Sequence, residues 1–265
     1  MQRLGKNLSS YQGEVIQIAE VLARIDEAAR ISGWRKEPLL VAPELVLPAY
    51  SRVVPQPKRC VYISAGIHGD EPAGPLAVLK LFQTTTFPAD ISLWVVPCLN
   101  PRGFDLNQRE NERGLDLNRD YREPKSTVVP AHIRWLEERP LFDLTLALHE
   151  DWEAHGFYLY ELNPEFRPSV AEAIVQAVSK VCPIDLSSEI EGRKASGGIV
   201  CANPDLLKRP DWPEAFYLIH HKTRLAYTLE SPSDFPLPLR VDALVIGVET
   251  ALGASSQLLA SPPNF

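Results

Sequence analysis

Four short apolar runs, each passing directly into charged or amide side chains, constrain this chain more than any other feature. CVYISA (60–65) leads into His68, Asp70 and Glu71, and LWVVP (93–97) into Asn100 and Arg102. LTLAL (144–148) leads into His149, Glu150 and Asp151, and LAYTL (225–229) into Glu230. Runs that are apolar throughout, rather than on alternate residues, suit strands buried on both faces. The segments between them read as helices, around 75–82, 130–138, 168–180 and 238–259. Strands alternating with helices predict an α/β fold: a single domain with a mixed, mostly parallel twisted sheet and helices on both faces. In such sheets ligands gather at the carboxyl ends of strands, where these four polar clusters fall.

The remaining elements follow from local signals. Residues 11–31 carry apolar side chains at Val15, Ile18, Ala19, Leu22, Ile25 and Ala29, close to a helical stripe. Ser9 or Ser10 would cap that helix and Gly33 would end it. ELVLPAY (44–50) predicts an edge strand, because Pro48 cannot donate to a central ladder. GFYLYE (156–161) predicts another strand, and Pro168 sits near the first turn of the helix that follows. The expected organisation is one domain over 1–265, with an N-terminal helix and lead-in at 1–43 and an α/β core at 44–259.

Composition narrows the function classes. The 265 residues are 45% hydrophobic and 23% charged, with a net charge of −7. That is a globular composition without the basic footprint that nucleic-acid binding needs. No window reaches the roughly 18 apolar residues of a membrane span, and the N-terminus has no apolar leader core. The expectation is a cytoplasmic protein without a removable inhibitory pro-segment, binding neither nucleic acid nor membrane. Cys60, Cys98, Cys182 and Cys201 are too scattered for a metal or redox motif and predict buried, reduced thiols.

Three clusters carry candidate chemistry. His68 and Glu71 form an H-x-x-E pair in a loop containing Gly66, Gly69 and Gly74. Imidazole nitrogen and carboxylate oxygen both bind zinc, and His149, ending another strand, would complete three protein ligands with one open position. The alternative is a solvated loop with a capping His. The segment RENERGLDLNR (109–119) places Arg109, Arg113, Asn118 and Arg119 in an acidic protein. Arginine grips carboxylates in bidentate fashion, although Glu110, Glu112 and Asp116 offer a salt-bridged surface loop instead. Glu230 ends an apolar strand, where a desolvated carboxylate gains proton affinity and suits general base and acid work. Pairing with an arginine is the bland reading.

GIHGDEPAG, NPRGF…RENERGLDLNRDY, LALHE and YTLE occur in that order across about 60–230. In these motifs the sequence resembles the zinc carboxypeptidase family, the A, B and D types and their bacterial relatives. The resemblance implies a zinc carboxypeptidase-like fold and one Zn²⁺ bound by His68, Glu71 and His149. It implies Glu230 as the catalytic carboxylate and Arg109 as the residue that polarises the scissile carbonyl. Asn118 and Arg119 match the pair that grips the substrate's terminal carboxylate. The separation of Arg109 from Asn118 resembles the D type and the murein peptide amidases. The compact length resembles both the murein tripeptide amidase and the succinylglutamate desuccinylase/aspartoacylase branches.

Position 208 is Lys, and the nearest tyrosine is Tyr217, so the substrate-capping tyrosine of the pancreatic enzymes has no clear counterpart. Glu150, Asp151, Glu153 and His155 near the third ligand would orient the zinc ligands or select a cationic substrate group, with a plain polar loop as the alternative. His132, His220 and His221 read as structural. The implied function is a zinc-dependent metallocarboxypeptidase acting on a peptide or N-acyl amino acid with a free carboxylate. A deacylase of the succinylglutamate desuccinylase/aspartoacylase type and a non-catalytic carboxylate-binding protein are the alternatives.

Overall fold

The computed structural model describes residues 3–7, 11, 13–42, 45–202 and 209–258. Ser9, Ser10 and Lys208 therefore lie outside the described residues. In chain order the elements are α1 (Ile18–Ile31), β1 (Arg35–Ala42), β2 (Leu45–Arg52), β3 (Arg59–Ala65), α2 (Ala73–Thr84), β4 (Ile91–Val96) and α3 (Pro101–Leu106). Then come α4 (Val128–Glu137), β5 (Leu144–Asp151), β6 (Tyr158–Leu162), α5 (Ala171–Val178), β7 (Glu189–Ile190) and β8 (Arg193–Lys194). The chain continues with β9 (Ile199–Cys201), α6 (Glu214–His221), β10 (Ala226–Pro232) and α7 (Leu237–Leu258).

Eight strands form one sheet in the order β1-β2-β4-β3-β5-β10-β6-β9. Its centre, β4-β3-β5-β10, is parallel throughout, and β6 and β9 are also parallel. Antiparallel pairs join β1 to β2, β2 to β4 and β10 to β6. This is the mixed, mostly parallel sheet expected from the apolar runs.

Strand alternation divides the core into two layers. Val61, Ile63, Leu146, Leu148, Tyr227 and Leu229 pack against α1, α2, α5 and α7. Tyr62, Trp94 and Ala226 face the other way, onto α4 and α6. His149 shares its face with Thr145 and Ala147, whereas Glu150 shares the face of Leu146 and Leu148. Neighbours in sequence thus point into different layers at the carboxyl edge of the sheet.

Several local expectations shift. Helix α1 begins at Ile18, so Val15 lies outside it and is exposed; Ala19 is also exposed, and Val21 and Ala28 take buried positions. Strand β2 is not an edge strand, because β1 covers it. Pro48 is tolerated since the pairing of β2 with β4 involves only Tyr50, Ser51 and Arg52, leaving Pro48 opposite Pro38 of β1. The polar segment after β4, which carries no helix signal considered above, contains α3, opened by the Asn100 side chain accepting from the Gly103 N–H at 3.0 Å. Helix α5 starts three residues after Pro168. Cys98 and Cys182 are buried free thiols, but Cys201 is exposed because it ends the outermost strand, β9, and Cys60 is half-buried. No helix among the described residues is long and apolar enough to cross a membrane.

Candidate metal centre

The carboxyl ends of β3, β5 and β10 meet at one cleft of about 260 Å³, lined by His68, Glu71, Arg109, Asn118, Arg119, His149 and Glu230 among others. His68 and Glu71 lie between β3 and α2. Gly69 belongs there because a side chain would collide with the backbone of Gly103 and Phe104. His149 comes from β5, and Glu230 is its register partner on the adjacent parallel strand.

His68, Glu71 and His149 are all buried, and one ligand atom from each lies within 4.8 Å of the others. The Nδ1 atoms of both imidazoles face a single carboxylate: His68 Nδ1 is 2.5 Å from Glu71 Oε1, and His149 Nδ1 is 2.9 Å from Glu71 Oε2. The backbone N–H of Glu150 also donates to Oε2, at 3.2 Å. Two nitrogens and a carboxylate converging in a buried pocket form a donor set suited to a divalent cation, zinc in particular. The far nitrogen of His68, Nε2, has Asp116 Oδ1 at 3.5 Å, an arrangement that leaves Nδ1 for a cation. The site thus fits a metal ion.

Electrostatics separate the two glutamates. Burial works against the Glu71 charge, but the two imidazoles outweigh it and hold the carboxyl well below its usual range. Burial, followed by the charges of Glu71, Asp151 and Glu191, pushes Glu230 well above the usual carboxylate range. Glu230 forms no ion pair with Arg or Lys among the described residues, so the strand-end salt bridge considered above is absent there. One acid is kept ionised and its neighbour has its proton affinity raised, a division suited to acid–base chemistry.

Arg109 reaches the same point. Its Nη1 lies 3.3 Å from His68 Nδ1 and 3.9 Å from Glu71 Oε1, and its Nε donates to Asp116 Oδ2 at 2.9 Å. Asp116 therefore braces both His68 and Arg109; burial opposes its charge, yet His68 and Arg109 draw its pKa down. The sequence showed Asp116 only as a possible ion partner in the loop. Asn118 Oδ1 accepts from the Glu214 N–H at 2.9 Å, which fixes the side chain and directs its NH₂ group elsewhere. Arg119 is exposed, with Nε 3.6 Å from Asp211 Oδ2.

The residues after His149 take different roles. Glu150 turns into the other layer, where it accepts from the Ala73 N–H at the start of α2 and pairs with the fully buried Arg240. Burial raises its pKa to about 7 against the pull of Arg240. Asp151 accepts from Tyr158 Oη at 3.0 Å, and Asp151, Trp152 and Glu153 line the cleft. His155 is outside the cleft lining; its N–H donates to Asp185 at 3.0 Å. His132 is a core residue between Tyr62 and Tyr121, held neutral by burial, which takes its pKa down to about 3. His220 and His221 pack beside Trp212 at the end of α6. Sequence reasoning missed Tyr11, Glu191, Arg209 and Glu214 in the cleft wall, because no local motif marks them.

The fold is zinc carboxypeptidase-like, as the motif resemblance implied. Residues 57–179 match the succinylglutamate desuccinylase/aspartoacylase catalytic domain family. The chain is 36% identical over 86 residues to murein peptide amidase A of Escherichia coli (strain K12), covering 31% of this chain and 35% of that protein. It is 33% identical over 66 residues to carboxypeptidase SOL1 of Arabidopsis thaliana, covering 21% of this chain and 13% of that protein. The match thus spans about a third or less of the curated relatives. In fold, a metallopeptidase-like protein from Shewanella amazonensis SB2B superposes with a TM-score of 0.79 at 22% identity, covering 90% of this chain and 93% of the other. Carboxypeptidase A from Helicoverpa armigera gives 0.67 at 15% identity, covering 94% and 75%.

Proposed function

We propose that this protein is a zinc-dependent hydrolase of the metallocarboxypeptidase class, cleaving an amide bond next to a free carboxylate. The observation that carries this reading is the convergence of the His68–Glu71–His149 donor set, Glu230 and Arg109 at one cleft. A bound zinc ion would supply Lewis acidity to the scissile carbonyl and make water a stronger acid. Glu230, with its proton affinity raised by burial and neighbouring carboxylates, takes a proton from the attacking water and returns it to the departing amine. Arg109 is aimed at the same point by Asp116 and stabilises negative charge developing on the carbonyl oxygen. Asn118 and Arg119 grip the substrate carboxylate and fix its register.

The alternative, an N-acyl amino acid deacylase using the same residues, is favoured by the domain match over 57–179. A panel of dipeptides, γ-glutamyl and murein-type peptides and N-acyl amino acids, assayed on zinc-loaded protein, separates the two. Hydrolysis of peptides, lost to chelator and restored by zinc, is the expected result. Hydrolysis of N-acyl amino acids alone would replace the peptidase by the deacylase. A protein that holds no zinc by elemental analysis and cleaves nothing would refute both.

A further inference from the structure

Beside Arg109, Asn118 and Arg119, the cleft is lined by Tyr11, Asp70 and Ser233. Tyr11 Oη, Asp70 Oδ1 and Ser233 Oγ are buried without a hydrogen-bond partner among the described residues. Ser233 is only 4% exposed. Buried polar groups are ordinarily paired, so three unpaired ones in the lining of one cleft mark a place where a ligand supplies the partners.

Tyr11 arrives there from outside the α/β core. The described parts of the N-terminal segment are tied to the loop after β10 and to α7. The N–H groups of Gly5 and Lys6 donate to the Asp234 carboxylate at 3.2 and 2.8 Å, and Arg3 Nε does so at 2.9 Å. Glu14 pairs with Arg240. Gly13 gives Tyr11 its seat, since a Cβ at that position would overlap the Tyr11 hydroxyl.

We infer that Tyr11, Asp70 and Ser233 form a subsite for the acyl side of the substrate and select acyl groups that carry an amide. The inference rests on the proposed function, in which Asn118 and Arg119 take the carboxylate of the leaving residue, so that the acyl portion is left to Tyr11, Asp70 and Ser233. Hydroxyl donors at Tyr11 and Ser233 suit an amide carbonyl, and the Asp70 oxygen suits an amide N–H. An alkyl acyl group leaves all three unpaired, and an acyl group ending in a carboxylate meets Asp70.

The test compares a tripeptide with the N-acetyl and N-hexanoyl forms of its C-terminal residue, on zinc-loaded protein. The tripeptide is expected to exceed the acyl compounds in kcat/KM by about tenfold or more, the loss from one unpaired polar group. In Tyr11→Phe, Ser233→Ala and Gly13→Ala that ratio falls several-fold, with circular dichroism and melting confirming a folded protein. Equal kcat/KM across the series, or an unchanged ratio in all three variants, overturns the subsite. Calorimetric binding of the same tripeptide and N-acetyl compound provides a readout independent of turnover. Tighter tripeptide binding that weakens in Tyr11→Phe supports the subsite even if nothing is hydrolysed, an outcome that would sink the proposed function alone. Equal binding of both compounds overturns the subsite whatever the turnover.

Discussion

Glu214 offers a test of the fold's electrostatics that needs neither metal nor substrate. It opens α6 and is 1% exposed, its carboxyl receiving Tyr62 Oη at 3.0 Å and Ser64 Oγ at 2.8 Å. Burial raises its pKa from 4.5 to about 7, against the pull of those two hydroxyls. The folded state therefore holds a proton that the unfolded chain releases near pH 4.5. Stability contributed by this group is full below about pH 4.5 and is lost as pH rises through about 7. A rise of that size corresponds to about 3 kcal/mol at the alkaline end. Its polar side-chain neighbours do not titrate in the window: burial holds His132 at about 3 and pushes Tyr62 well above 10. Glu214→Gln keeps a neutral amide at the same place. Urea denaturation of both proteins between pH 4 and 8 should show wild type losing about 3 kcal/mol relative to the variant. Parallel curves would refute the reasoning.

Three further outcomes are expected. Glu230→Gln should retain zinc at wild-type stoichiometry while kcat drops about 10²–10⁴-fold; a fully active variant removes Glu230 from proton transfer. Arg240→Leu strands Glu150 and Glu14, with the Glu150 side chain fully buried, and should cost about 3–5 kcal/mol in denaturant titration. The double variant with Glu150→Gln should recover part of that loss, and additive losses would count against the pair. Arg119→Ala should raise KM for carboxylate-bearing substrates about tenfold with little change in kcat; an unchanged KM excludes Arg119 from the carboxylate grip.

The part of the site legible in the sequence is the part that the sheet itself builds. A parallel strand buried on both faces must be apolar to its end, so the first polar residue after it is conspicuous and falls at the carboxyl edge. His149 and Glu230 were visible for that reason, and their register pairing is a consequence of β5 and β10 lying side by side. His68 and Glu71 follow β3 by the same logic. Strand β1 was not foreseen, because RKEPLLVA mixes charges with Pro38 and pairs only with β2, so its ladder needs no continuous apolar run.

The illegible part belongs to contacts that bring distant segments together without a local pattern. Glu214 meets Tyr62 and Ser64 about 150 residues away in the chain, and no local motif marks it at the start of α6. Glu150 follows directly on His149 and reads as part of one acidic cluster, yet strand alternation sends it into the opposite layer to meet Arg240. Tyr11 sat in a stretch expected to continue the first helix. The Glu14–Arg240 pair and the ties of residues 3–6 to Asp234 hold that segment against the core instead, and no propensity encodes a partner more than 220 residues away. The centre of the cleft was thus readable from strand ends, whereas its walls, where selection among substrates is decided, depend on tertiary contacts.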